Sequence, residues 1–206
     1  MAERSRPNGL SSQMERTRSA IVAAARELAD TGAEITMPQV AAEARVSEAT
    51  AYRYFPDLLS LLRTAVMAED LVAVLRSATR SDDPVERIGQ AAEILGRAVL
   101  RRQGAVRVIV ASTIAKPSAA RTRPAHRFGL IEHALAPWAD RCGSAGQAEV
   151  EQLVRGLVLV ISAESLFALI DLCGLTPDDA IASMVTTARQ MTAAAVAAVP
   201  TGPLAD

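Results

Sequence analysis

The sequence predicts an all-α protein of two modules, and three observations carry that expectation. Half of the 206 residues are hydrophobic while only 3% are aromatic, and the dominance of Ala, Leu, Val and Arg suits helices better than sheets. Apolar residues recur at the i, i+3, i+4, i+7 spacing of amphipathic helices. Thr36-Met37-Pro38 and Thr176-Pro177-Asp178-Asp179 both place a capping hydroxyl just before a first-turn proline, the order that starts a helix. A chain of this length accommodates one ordinary domain and a small one.

Taken in order, residues 1–14 read as a disordered arm, rich in Ser, Pro, Asn and Gly and carrying Arg4 and Arg6. A first helix is expected from about Glu15 to Asp30, on the stripe Ile21, Ala24, Ala25 and Leu28, with Gly32 as its stop. Thr36 caps a short second helix over Met37–Ala44. After the turn Ala44-Arg45-Val46, Ser47 caps a third, which must end near Pro56 because the residue before a proline avoids helical angles. Residues 15–63 thus form a tri-helical helix-turn-helix unit.

Residues 64–199 are expected to form an effector-binding and dimerisation domain, and 200–206 a disordered tail. One long helix, Asp57–Arg80, carries Leu58, Leu61, Leu62, Ala65, Val66 and Leu71 and joins the two modules. Helices follow from Asp83-Pro84 to near Gly104, over Ala105–Ala115, and from about Pro124 to Cys142 with Pro137 inside. A long helix from Gln147 to Cys173 is apolar nearly all round between Leu157 and Ile170, and a last one spans 177–198. That makes nine helices, of which the last two offer a broad apolar surface suited to pairing across a two-fold axis.

Charge and motifs narrow the function. With 22 basic against 23 acidic residues, the chain has no bulk positive charge, so contact with nucleic acid has to be local. Cys142 and Cys173 have no metal-ligand spacing and are expected as reduced thiols in the cytoplasm. No cofactor and no metal are expected. The apolar run Leu157–Ile170 is shorter than the roughly 18 residues of a membrane span and contains Glu164. An enzyme is disfavoured: there are two histidines, no Gly-rich phosphate loop, no H-E-x-x-H and no G-x-S-x-G.

The third helix has the make-up of a recognition helix. Ala51 and Phe55, four apart, can face the scaffold, while Thr50, Tyr52, Arg53 and Tyr54 supply hydroxyls and a guanidinium for phosphates and base edges. The plainer alternative is a surface helix with two tyrosines.

Arg16-Thr17-Arg18-Ser19-Ala20-Ile21 through Glu27-Leu28-Ala29, then Thr36-Met37 through Val40-Ala41, then Val46-Ser47-Glu48-Ala49-Thr50-Ala51-Tyr52-Arg53-Tyr54-Phe55-Pro56, resembles the DNA-binding domain of TetR-family regulators. The resemblance implies a nine-helix subunit that dimerises through its last two helices (about 147–173 and 177–198) and reads a pseudo-palindromic double-stranded operator. It implies that Thr36, Ser47, Thr50, Tyr52 and Tyr54 hold phosphates, while Arg45, Glu48, Ala49 and Tyr52 face bases. The sequence departs from the family's common pattern at three places: Arg45 stands where glycine is usual, Glu48-Ala49 where Lys-Gly is usual, and Leu58 where a lysine is usual. Fewer lysines mean fewer released counterions, for which Arg45 and the arm residues Arg4 and Arg6 could compensate, the arm in a minor groove.

Arg123-Pro124-Ala125-His126-Arg127-Phe128, Ala134-Leu135-Ala136-Pro137-Trp138, Ala163-Glu164-Ser165-Leu166 and Gly174-Leu175-Thr176-Pro177-Asp178-Asp179-Ala180 are similar to a common C-terminal domain of that family. A small hydrophobic effector is the expected ligand, with Met67, His126, Phe128, His133, Trp138, Glu164 and Phe167 as pocket candidates; aromatic and Met residues at helical spacing serve equally as core. Glu164 needs a partner in its apolar helix, and Asp171, His126, His133, Arg107 and Arg127 are the candidates. It is either a structural ion pair or an effector contact. The expected function is a repressor released by its effector. The alternative is a helical ligand-binding or scaffold protein with weakened or lost DNA binding, since residues 1–63 balance eight arginines against eight acids.

Overall fold

The computed structural model describes residues 9–66, 69–115 and 126–199 of the chain, and every regular element among them is helical. In order these are α1 (Gly9–Asp30), α2 (Met37–Glu43), α3 (Glu48–Tyr54), α4 (Leu58–Val66), α5 (Leu71–Ala78), α6 (Pro84–Arg101), α7 (Gln103–Ala115), α8 (His126–Cys142), α9 (Gln147–Val160), α10 (Ala163–Asp171) and α11 (Pro177–Ala198). Residues 9–14, expected in the disordered arm, are the first turns of α1; Arg4 and Arg6 lie outside the described residues.

Two expected helices are each broken in two, which raises the expected nine. The continuous rod from Asp57 to Arg80 is interrupted: Glu69 and Asp70 are not helical, and Asp70 Oδ1 accepts hydrogen bonds from the N–H groups of Val72 and Ala73 at 3.1 and 3.0 Å. A side chain that caps the second half of an apolar stripe can end the first half, and periodicity alone does not see it. The expected helix over 147–173 breaks in the same way. Ile161 closes α9, and Ser162, buried and extended, accepts from the N–H of Ser165 at 3.1 Å to open α10. No single helix among the described residues is long and apolar enough to cross a membrane.

The chain divides into two compact units, one of Met1–Ala68 with Arg101–Arg121, the other of Glu69–Leu100 with Thr122–Asp206. In the first, α1 packs on α4, α2 packs on α1 and α3, and α7 packs on α1 and α4. Their shared core holds Ile21, Ala25, Ala29, Val40, Ala51, Phe55, Leu61 and Leu62 from the first four helices and Ala105 and Ile109 from α7. Burying such side chains contributes about 1.5–3 kcal/mol for each large one, so α7 is a structural part of the unit that carries the helix-turn-helix.

In the second unit α8 packs on α5 and α9, and α11 on α9 and α10. Gly96 gives α6 room for Ile181 and Met184 of α11: a Cβ there would lie 2.9 Å from Ile181. The expected all-round burial of 157–170 is only partial. Leu157, Val158, Ile161, Leu166 and Phe167 are buried, but Leu159 is 74% exposed and, beyond α10, Leu172 is 84% exposed.

Candidate nucleic-acid interface

The helix-turn-helix is assembled by local hydrogen bonds that the sequence encodes at fixed offsets. Thr36 and Gln39 form a reciprocal capping box at the start of α2: Gln39 N–H donates to Thr36 Oγ1 at 3.5 Å, and Thr36 N–H to Gln39 Oε1 at 2.9 Å. Ser47 caps α3 by the forward half of that motif, accepting from Thr50 N–H at 3.2 Å while its hydroxyl meets that of Thr50 at 2.9 Å. These hydroxyls therefore fix the two helix starts, and each retains lone-pair or hydroxyl-proton capacity for a further partner.

Between the helices the backbone makes a Schellman turn. Val46 N–H donates to Ala41 carbonyl at 2.9 Å and Arg45 N–H to Ala42 carbonyl at 3.1 Å, which requires a left-handed residue at position 45. Arg45 adopts it, with φ of 56°, the one non-glycine residue at positive φ among those described. Here lies the physical meaning of the departure at 45: the turn is built for glycine, and this chain places a strained, exposed guanidinium there.

α3 divides as expected. Ala51 and, at the C-cap, Phe55 are buried in the core of the unit. Glu48, Ala49, Tyr52 and Arg53 are exposed, and Thr50 and Tyr54 half-buried. Arg53 lies over the Tyr54 ring at 5.5 Å, so its guanidinium is partly preordered beside the exposed Tyr52. Of the sequence candidates, Thr36, Arg45, Ser47, Glu48, Ala49, Tyr52 and Arg53 are all solvent-facing. Pro56 and Asp57 then start α4, where Asp57 Oδ1 accepts from Ser60 N–H at 2.7 Å. Leu58, at the usual lysine position, is half-buried against the same core.

Sequence reasoning missed Arg18, whose guanidinium sits over the Phe55 ring at 5.2 Å and ties α1 to the end of α3. No periodicity signal marks such a contact. It also missed Arg102, described below, whose signal is weak: a second arginine after Arg101 at a break between helices.

The effector-pocket candidates are less cohesive. Met67 and the His126 side chain lie outside the described residues. Trp138 is fully buried and Phe167 7% exposed, whereas Phe128 is 40% exposed and His133 half-buried. Burial, then the charges of Arg87 and Arg76, lower the pKa of His133. The Glu164 carboxylate is paired with Arg127 at 3.0 Å, with both side chains partly exposed. Arg127 is thus one of the candidate partners that this carboxylate meets.

Residues 20–63 match the family of bacterial regulatory proteins, tetR family. No curated protein and no solved structure matches the chain. The match ends before α5, so it covers the capped α2, the Schellman turn and α3 but none of the second unit. The capped α2, the Schellman turn and α3 thus have both the sequence and the fold of the N-terminal segment shared by the tetR family of bacterial regulatory proteins, and the match supports a DNA-binding transcription regulator of that kind.

Proposed function

We propose that the protein is a dimeric repressor that occupies a pseudo-palindromic operator and leaves it when a small hydrophobic effector binds in the C-terminal domain, residues 64–199. The observation that carries the DNA half of this reading is the exposed set Arg45, in the turn before α3, and Glu48, Ala49, Tyr52 and Arg53, on the helix that Ala51 and Phe55 anchor. Arg45, Glu48, Ala49 and Tyr52 read bases, and Thr36, Ser47, Thr50, Tyr52 and Tyr54 hold phosphates, with Arg53 beside them. Major-groove readout suits such a mixture of guanidinium, hydroxyl and carboxylate.

The effector half is supported by Trp138. Its indole N–H is buried with no hydrogen-bond partner among the described residues, as is the side-chain oxygen of Gln90. An orphan buried donor costs about 1–3 kcal/mol, which a ligand acceptor would recover. Dimerisation through the last two helices (147–173 and 177–198) is supported by Leu159 and Leu172, large apolar side chains that α9 and the end of α10 leave in solvent. The interrupted α4–α5 segment, in place of one rod, divides the expected coupling helix at Glu69 and Asp70.

A mobility-shift titration of the full chain against the DNA flanking its own gene tests the reading. A discrete complex at low salt that weakens steeply as salt rises is the expected result. Absence of any complex at low salt would favour a ligand-binding or scaffold role. Because Trp138 is the single tryptophan, a change in its emission reports effector entry in the same sample.

A further inference from the structure

Arg102 stands between α6 and α7, outside the matched residues 20–63, yet it is 9% exposed and belongs to the same unit as the helix-turn-helix. Its Nε donates to Asp30 Oδ1 at 2.5 Å, and its Nη1 to the Val66 carbonyl at 3.5 Å. Asp30 is the last residue of α1 and Val66 the last of α4. One buried guanidinium therefore binds the C-terminal ends of the two helices that pack on each other most extensively in this unit, where the carbonyl ends of both helix dipoles favour a cation. Arg101 adds a second, longer contact to Asp30 at 4.0 Å.

The next turn is keyed to the same place. A Cβ on Gly104 would lie 2.0 Å from the Ala33 carbonyl oxygen, so α7 begins in direct backbone contact with the turn that follows α1. Gly32, at φ of 72°, makes that turn possible. From there α7 runs with Ala105 and Ile109 in the core beside Ala29, Leu62 and Ala65. α1 and α4 in turn hold α2 and α3: Arg18 of α1 covers Phe55 at the end of α3, and Phe55-Pro56-Asp57 leads straight into α4. Any change in how α1 and α4 meet at their C-terminal ends is thus passed to the recognition helix by packed or covalent links.

We propose that Arg102 is a positioning residue for DNA recognition: by fixing Asp30 to the end of α4 it sets the pose of α3, although it touches no DNA. Buried as it is, it cannot neutralise a phosphate. Its loss therefore weakens operator binding without changing the number of counterions released. The helix that leads into it, α6, belongs to the second unit up to Leu100, so Arg101-Arg102 is the point at which the chain re-enters the DNA-binding unit. The proposal rests on the dimeric reading above only for the spacing test below.

The probe is the duplex that the full wild-type chain selects from a random-sequence library, and affinities are read well below the melting temperature, where each variant is verified as folded by circular dichroism. Arg102→Gln is expected to weaken binding about tenfold, with the slope of log affinity against log salt unchanged. Asp30→Asn should do the same, the double variant should be no worse than either single one, and Arg102→Lys should recover most of the loss. A one-base-pair insertion between half-sites should be rejected less sharply by Arg102→Gln than by wild type. Binding within about twofold of wild type, a salt slope reduced by about one, or lost thermal stability with intact affinity would each overturn the proposal. If Arg102→Gln does not fold, Asp30→Asn, at the 40%-exposed partner, decides by the same readouts. A wild-type chain that binds a single half-site sinks the dimeric reading and leaves the affinity test of Arg102 standing; one that binds no duplex sinks both.

Discussion

Arg87 donates through Nη2 to the carbonyl of His133 at 2.9 Å, and His133 is the residue four before Pro137 inside α8. Proline has no N–H and so leaves that carbonyl without its helical partner. Arg87 supplies a replacement and continues through Nε to the Ala134 carbonyl at 2.8 Å and through Nη1 to the Ser81 carbonyl at 3.1 Å. The proline that the sequence marked as a flaw in the helix is compensated by a buried arginine on α6. Arg87→Met is expected to cost about 2–3 kcal/mol, because one buried and two part-buried carbonyls lose a charged donor. In a Pro137→Ala background the same substitution should cost less, since the alanine N–H restores one of the bonds. Denaturant unfolding of the four proteins measures the coupling; equal costs in both backgrounds would show that Arg87 does not serve the proline gap.

Arg45 carries the opposite kind of trade. The Schellman turn between α2 and α3 demands a left-handed residue, and a side chain there costs about 1 kcal/mol relative to glycine. Arg45→Gly should therefore raise stability by about 0.5–1 kcal/mol, the unfolded chain's extra freedom offsetting part of the relief. If the exposed guanidinium also reaches DNA, the same substitution lowers operator affinity and the salt dependence of binding. A variant that is more stable and binds equally well at every salt concentration would leave the strain at 45 without a DNA function.

His133 makes stability depend on pH in one direction. Burial, followed by the charges of Arg87 and Arg76, holds its pKa below the ordinary value. The unfolded chain, with a histidine pKa of about 6.5, takes up a proton that the folded chain resists. Above that pH the group is neutral in both states and contributes nothing. As the pH falls below it stability declines, and the decline from this residue ends once the pH passes the folded pKa. Urea midpoints for wild type and His133→Gln, compared at about pH 8 and about pH 5, should converge or cross toward the acid side. A gap between the two proteins that stays constant with pH would show that the His133 proton plays no part.

How much was legible in the sequence follows the range of the interactions. Thr36, Ser47 and Thr176 each cap a helix within three residues, and the Thr36, Ser47 and Thr176 hydroxyls all accept the expected N–H. Ala51 and Phe55 show the expected buried face through spacing alone. The breaks at Asp70 and Ser162 were not seen because apolar periodicity runs through both, and a polar residue within an apolar stripe reads equally as a tolerated defect or as a cap. Arg102 and Asp30, 72 residues apart in sequence, meet only in the fold. Glu164 lies between these cases: its need for a partner was legible, but that Arg127 is one required the packing of α8 against its neighbours.

The place of α7 in the DNA-binding unit leads to the sharpest stability prediction. The matched residues end at 63 and the fold does not: Ala105 is fully buried and Ile109 5% exposed in the core formed by α1 to α4. Gly104 seats that helix, and a methyl group there would meet the Ala33 carbonyl at 2.0 Å, backbone against backbone, with no flexible side chain to yield. Gly104→Ala is therefore expected to cost at least the roughly 1–3 kcal/mol of an overpacked core, although alanine favours helices over glycine by about 1 kcal/mol. Propensity and packing point in opposite directions, so the sign of the change is diagnostic. A Gly104→Ala protein with a higher melting temperature would mean that α7 is not held against the Gly32-Ala33 turn in solution. A lower one, with hydrogen exchange accelerated in α1 and α4 as well as in α7, would place all three helices in one cooperative unit.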